Sequence, residues 1–227
     1  MLIKLRLLIS VMMKRRKGEK SMKKIRRVAF TTTNGVVEGV DFFVNTVKDK
    51  REILKLLREE IGSQKSMEIS SFSDEELGKA LSAFNIPYNG TCLECVFQAA
   101  KVFEKGGPYL EWLSMPPKEV KKDPKKKTSG KVIKYVFEGE TWDTDPKTAF
   151  YDYIYINAVK DLLNEEELKN ILEYKYFTDV ALNPEVSTNC QARSMALIQL
   201  MVKKYGRILD FSSKEEFIEF HKKHVKY

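Results

Sequence analysis

The sequence is poor in the residues that staple or metallate small folds: three cysteines, Cys92, Cys95 and Cys190, and two histidines, His221 and His224, among 227 residues. Three unevenly placed cysteines cannot frame a disulfide scaffold in a chain this long, which points to a reducing, cytoplasmic setting. Cys92-x-x-Cys95 and His221-x-x-His224 together suggest a zinc set, but both histidines fall in the last seven residues, where chain ends fray. The cysteines read better as small half-buried residues beside a helix start, and neither a metal nor a cofactor is expected. A long apolar run is missing as well. Residues 1–13 (MLIKLRLLISVMM) are interrupted by Lys4 and Arg6 and fall short of the roughly 20 residues that span a bilayer. They run into Lys14-Arg15-Arg16-Lys17 with no small-residue cleavage site, the wrong order for a secretory signal, so no membrane partner is expected. There is no internal repeat and no long linker.

Excess charge is also missing from most of the chain. Forty basic residues against 32 acidic ones give +8, but residues 1–27 hold 11 basic residues and one acid, Glu19, whereas residues 28–227 hold 29 basic and 31 acidic. Net charge therefore does not mark a nucleic-acid binder. The tail admits three readings: a basic amphipathic helix touching a membrane surface or DNA, a disordered tail, or an upstream start with the natural chain beginning at Met22. The last two are preferred, and a start at Met22 would reduce the charge to +2.

What is present suits one substantial core: 43% apolar and 11% aromatic residues. β-Branched and aromatic runs at 27–33 and 36–44 flank Asn34-Gly35, a favoured hairpin turn. Residues 48–61 form an amphipathic helix ended by Gly62. Ser73 and Glu76 suggest a capping box for another helix. Residues 93–103 read as the most regular helix, stopped by Gly106-Gly107-Pro108. Residues 116–130 predict a short helix followed by a mobile basic loop at 121–127, then a strand at 131–137 and a turn at Glu138-Gly139. Helices follow from Pro146 to about 163, at 165–173 and at 192–205. The class is α+β, mostly helical, with an N-terminal hairpin and a few short strands.

On the helix predicted at 93–103, Glu94, Gln98 and Lys101 are spaced by four and three and share one stripe. Around them Val96, Phe97, Ala99, Ala100, Val102 and Phe103 leave little room for a solvated face. A carboxylate and an amine in such surroundings are drawn toward neutral pKa values, as a general acid/base or a nucleophilic lysine requires; the plain alternative is a solvent-facing stripe. A second polar cluster, residues 183–193 (NPEVSTNCQAR), ends in Arg193 just inside a helix, where an anion site and a simple N-cap at Asn189 fit equally. Trp142 precedes a predicted helix, suited either to stacking on a sugar or base or to the core.

Taken together these residues resemble the NADAR (YbiA-like) superfamily over residues 68–206. The matching pieces are Leu81-Ser82-Ala83-Phe84-Asn85, Gly90, the run Glu94-Cys95-Val96-Phe97-Gln98-Ala99-Ala100-Lys101, Thr128-Ser129-Gly130-Lys131, and Trp142-Asp143. The lead-in hairpin, the 105–109 corner, the Phe150-Tyr151-Asp152-Tyr153 helix and residues 189–193 resemble the branch encoded beside DarT-type DNA ADP-ribosyltransferase toxins, whose members act as antitoxins. The resemblance implies an N-glycosidase that removes ADP-ribose from guanine bases of DNA. Its partners would be ADP-ribosylated DNA and the cognate toxin.

The resemblance further implies catalytic Glu94, Lys101 and Trp142, and substrate binding is expected of Ser82, Phe84, Asn85, Gln98, Asn189, Gln191 and Arg193. Ser82 and Arg193 would hold the pyrophosphate. Lys121, Lys122, Lys125, Lys126 and Lys127 would contact DNA phosphates. Ala83 stands where many members have asparagine, and the acid usual near the later strand is replaced by either Asp179 or Asn189. Two alternatives stand beside this reading: an N-glycosidase for a small ribosylated metabolite such as a ribosylamino-pyrimidine, and a non-catalytic module for ADP-ribose. The expected layout is a tail at 1–27, a hairpin-helix lead-in at 28–66, a catalytic domain at 68–206 and a C-terminal helix or tail at 207–227.

Overall fold

Asn34 and Gly35 both take positive φ, 51° and 76°, the backbone that a two-residue hairpin turn demands of its central pair. In the computed structural model, which describes residues 23–227, they join β1 (Lys24–Thr33) to β2 (Val36–Asn45) in full antiparallel register. The expectations for residues 1–22 lie outside the described residues. Two short strands, β3 (Ser66–Glu68) and β9 (Tyr176–Thr178), complete the sheet in the order β2-β1-β9-β3, while β4 (Pro87–Tyr88) and β5 (Thr91–Cys92) pair separately. β9 pairs antiparallel with β1, and β3 pairs parallel with β9.

Period-2 alternation splits β1 between two cores. Phe30 faces the main core, whereas Ala29 joins Ile53, Leu54, Leu57 and Ile61 of α1 (Lys50–Ile61). Gly62 ends α1 with φ 73°, and Asp49 caps its start by accepting from the Arg51 amide. On the other side lies α8 (Gln191–Tyr205), every residue of which from Gln191 to Val202 is buried. A helix buried on all sides belongs at the centre of a fold. Beside it runs α6 (Ala149–Lys160), and α3 (Leu93–Ala99) packs on α6. The class is α+β with the hairpin at its front, as the sequence predicts.

The long helix predicted at 93–103 is instead α3 followed by a strand, β6 (Lys101–Phe103). Continuing the helix would send the Phe103 and Glu104 amides to the carbonyls of Ala99 and Ala100. Those carbonyls accept from Tyr109 and Val136 instead, while the Phe103 and Glu104 amides go to Gly106 and Lys131. β6 then pairs with β7 (Val132–Phe137), and β7 with β8 (Glu140–Asp143), so Lys101, Tyr135 and Trp142 lie in line across this second sheet.

Other boundaries differ for local reasons. The Ser73 hydroxyl accepts from the Glu75 amide in a tight turn, so α2 (Glu76–Ala80) starts later without the predicted capping box. That device appears at Asn164 and Glu167, opening α7 (Glu165–Ile171). A turn at Pro146 delays α6 to Ala149, and Cys190 rather than Asn189 caps α8.

The basic segment is two short helices, α4 (Pro117–Lys122) and α5 (Lys125–Thr128), rather than a loop. Asp123 fixes the corner between them, accepting from Trp112 Nε1 at 2.9 Å and from the Lys125 amide at 2.8 Å. Below it Val120 packs with Cys95, Ala99, Phe103 and Trp112.

The two histidines do not fray. They sit on α9 (Lys214–His224), buried to 0% and 4% exposure. His221 Nε2 bonds Asp152 at 2.8 Å and His224 Nδ1 meets the Gly35 carbonyl at 2.8 Å. The cysteine pair lies apart from them, with the Sγ atoms 3.7 Å from each other, and burial pushes the Cys95 thiol up to about 11. Among the described residues no group of three or more His, Cys, Asp or Glu is placed to hold a metal, and no helix is long and apolar enough to cross a membrane.

Candidate active site

The stripe predicted from spacing survives the change of secondary structure. Gln98 Nε2 donates to Glu94 Oε1 at 2.9 Å, and Lys101 Nζ donates to Gln98 Oε1 at 2.9 Å. Gln98 thus links the carboxylate to the amine, and its own amide is satisfied at both ends. Lys101 stands at the first residue of β6, where the turn out of α3 brings its side chain back over Phe97, with Nζ 4.3 Å from the ring centre. Burial, aided by the Lys126 ammonium, pulls the Lys101 pKa down to about 8 against the opposing pull of Glu94.

All three line a cavity of about 420 Å3, within the range of small-molecule sites. Its floor is Phe97 and Tyr151, set edge to face at 4.8 Å. One wall is the segment from Asp179 to Gln191, between β9 and α8, including Asn183, Ser187 and Asn189. Ala83, Phe84, Lys121 and Lys126 also line the cavity. Lys121 Nζ lies 5.3 Å over the Phe84 ring, and burial lowers the Lys126 pKa.

Asp179 and Asn189, the two candidates for the third polar partner, both line this cavity. Asp179 Oδ1 accepts from the Ala181 and Leu182 amides at 2.9 and 3.2 Å. Burial, with the nearby Glu68 carboxylate, nevertheless raises its pKa to about 7. Asn189 presents a buried Oδ1 with no hydrogen-bond partner among the described residues. Gln191 accepts from the Ala83 amide at 2.8 Å, tying the start of α8 to the segment that carries Phe84.

Four residues that the sequence suggests for the site lie elsewhere. Trp142 is 2% exposed, packed against Tyr153 at 4.6 Å and Phe150 at 5.6 Å. Tyr135 on the intervening strand separates it from Lys101, so its ring is core and has no face for a sugar. Arg193 is turned inward, its Nε and Nη2 each 3.2 Å from Asp152, and it also donates to the Thr188 carbonyl, so no donor fork faces this cavity. Ser82 is buried with its Oγ 3.4 Å from Ser71 Oγ, and exposed Asn85 donates to the Lys79 carbonyl at 2.7 Å. Of the five lysines, Lys121 and Lys126 reach the cavity. Lys122 and Lys127 lie exposed on the same short helices, and Lys125 is held by Glu111 at 2.5 Å.

Phe97 and Tyr151 also line the cavity, and neither is among the site residues that the sequence suggests. The packing of α3 on α6 brings their rings together against the cavity.

A family described as DarT1-associated NADAR antitoxin matches residues 15–227. No curated protein matches the chain.

Proposed function

Since the chain belongs to the DarT1-associated NADAR antitoxin family, we propose that it is an N-glycosidase that removes ADP-ribose from guanine bases of DNA, with Lys101 as nucleophile. The observation that carries this reading is the Lys101 amine, drawn down to about 8 in a cavity that it shares with Glu94 and Asp179. An ordinary lysine has almost no free amine at neutral pH, whereas this one has a useful fraction.

The bond to be broken joins the ribose anomeric carbon to a guanine nitrogen. The free Lys101 amine forms a bond to that carbon as the bond to guanine breaks, and protonated Asp179 gives its proton to the departing base. Glu94 takes the proton that the amine sheds. The ribose ring then opens, its ring oxygen gaining a proton, and leaves an imine between the sugar carbon and Nζ. Water adds to the imine carbon, the carbonyl forms, and Lys101 departs as the amine. Phe84 offers an aromatic face to the base, and Lys121 and Lys126 offer cations to the pyrophosphate, the work that the sequence suggests for Trp142, Ser82 and Arg193. Lys122 and Lys127 continue the basic surface toward flanking phosphates.

The test is release of free ADP-ribose from an oligonucleotide bearing ADP-ribosylated guanine. Wild-type protein should release it, Lys101→Ala should not, and borohydride added during turnover should leave a reduced adduct on Lys101. Normal turnover by Lys101→Ala would overturn the assignment, and turnover with no trapped adduct would remove the covalent step. Binding without release would mark an ADP-ribose-binding module, and release from a ribosylated pyrimidine alone would mark a metabolite glycosidase.

A further inference from the structure

Beneath the cavity, at the end of β3, Glu68 is fully buried. Its Oε2 accepts from Thr178 Oγ1 at 2.6 Å, and its Oε1 accepts from the Val180 amide at 2.9 Å and from Ser70 Oγ at 2.5 Å. Thr178 and Val180 are the residues on either side of Asp179. We propose that Glu68 is the positioning residue for Asp179, clamping the chain on both sides of it from below the cavity. The proposal rests on the reading of Asp179 as the acid of the reaction.

The clamp has little freedom. β3 pairs with β9 in parallel with Glu68 opposite Thr178, and the Ile69 amide donates to the Thr178 carbonyl at 2.8 Å. α2 presses on the same strand closely enough that a Cβ on Gly78 would lie 2.2 Å from the Glu68 carbonyl oxygen. The Asp179 carboxylate is in turn fixed to the Ala181 and Leu182 amides, so its direction follows the backbone that Glu68 holds. A buried carboxylate is a poor choice for stability alone, since desolvation outweighs most of what hydrogen bonds return.

Glu68 also acts through its charge. Burial raises the Glu68 pKa, the three hydrogen bonds and Arg58 work the other way, and the charge that Glu68 carries helps to keep the proton on Asp179. The other groups facing Asp179 are Arg27 from β1, Lys50 from α1, Tyr151 and Tyr155 from α6, and Cys190 and Gln191 at the start of α8. Arg27 donates to the Leu182 carbonyl at 3.1 Å and Lys50 to the Val180 carbonyl at 2.9 Å, so both cations grip backbone of the same segment.

The experiment is the pH profile of ADP-ribose release by full-length Glu68→Gln, Ser70→Ala and Asp179→Asn, each checked for a cooperative thermal transition. Glu68→Gln should lower kcat about tenfold with KM within about twofold, and move the lower break of the profile toward acid by roughly one unit. Ser70→Ala, which weakens the Glu68 anion without disturbing the strand, should move that break the same way by less. If Asp179→Asn is inactive while folded Glu68→Gln and Ser70→Ala keep the wild-type profile, the clamp is wrong and Asp179 remains the acid. Should Glu68→Gln fail to fold, an unshifted Ser70→Ala profile overturns the proposal by itself. Full activity in Asp179→Asn would overturn the underlying assignment instead.

Discussion

Lys101 and Asp179 face the same cavity with pKa values moved in opposite directions, an amine brought down to about 8 and a carboxylic acid brought up to about 7. The proposed reaction needs the amine deprotonated and the acid protonated. Activity therefore rises with pH as Lys101 loses its proton and falls as Asp179 loses its own, so kcat/KM should be bell-shaped with breaks near 7 and 8. Asp179→Asn should remove the alkaline limb from whatever rate remains, and Glu94→Gln should cost about 10² to 10⁴ in kcat with little change in substrate binding. Trp142 makes a contrasting case. Trp142→Ala should destabilise the fold by about 3 to 5 kcal/mol in denaturant titration, because it empties a packed core position. Trp142→Phe should leave KM unchanged; a large rise in KM would return the ring to substrate contact. Glu94, Gln98 and Lys101 are legible in the sequence because a spacing of four and three survives one helical turn followed by a strand. The indole is not, because a tryptophan next to a polar run looks the same whether it faces a ligand or a core.

Among elements, the segments that the sequence pattern recovers are those whose signals are local. The hairpin has its Asn-Gly turn, α1 its apolar stripe and glycine stop, and α8 its long apolar run. The junction of α3 and β6 escapes such a reading because it is decided by distant partners: the Ala100 carbonyl is claimed by Val136 on β7, which no local pattern announces. The basic segment escapes it for the reverse reason, since lysines and prolines suggest mobility while one aspartate, bonded to Trp112, closes the corner. That corner sets how the lysines are presented. Lys121→Ala with Lys126→Ala should weaken binding to modified DNA and flatten its salt dependence by about 0.7 to 0.9 in log-log slope for each phosphate no longer neutralised. Lys125→Ala should do less, because Lys125 is already paired with Glu111. An equal weakening from all three would mean that the paired lysine also meets DNA.

At the scale of the whole molecule, α6, α8 and α9 meet at Asp152. This carboxylate is fully buried, yet it accepts from Arg193, Ser194, Thr148 and His221. Burial works to raise its pKa, and the Arg193 guanidinium and His221 overcome that to hold it at about 2. A carboxyl whose folded pKa is depressed gives stability that is complete above its unfolded value near 3.9 and is lost as pH falls toward 2. Asp152→Asn should accordingly flatten the acid limb of a stability curve and cost about 3 to 5 kcal/mol at neutral pH, since it strands a buried guanidinium. No short sequence pattern foretells this network, whose members come from three helices far apart in the chain.

The sheet carries a consequence for synthesis on the ribosome. β1 is made well before its second neighbour, β9, which comes only after residue 175, and Val37 on β2 waits for Val225 and Lys226 beyond α9. Until then the hairpin leaves the tunnel with an open edge and an uncovered apolar face, the state most prone to pairing with a neighbouring chain. The Lys101 cavity, which is lined by residues 179–191 beyond β9, is completed only after that segment has been made.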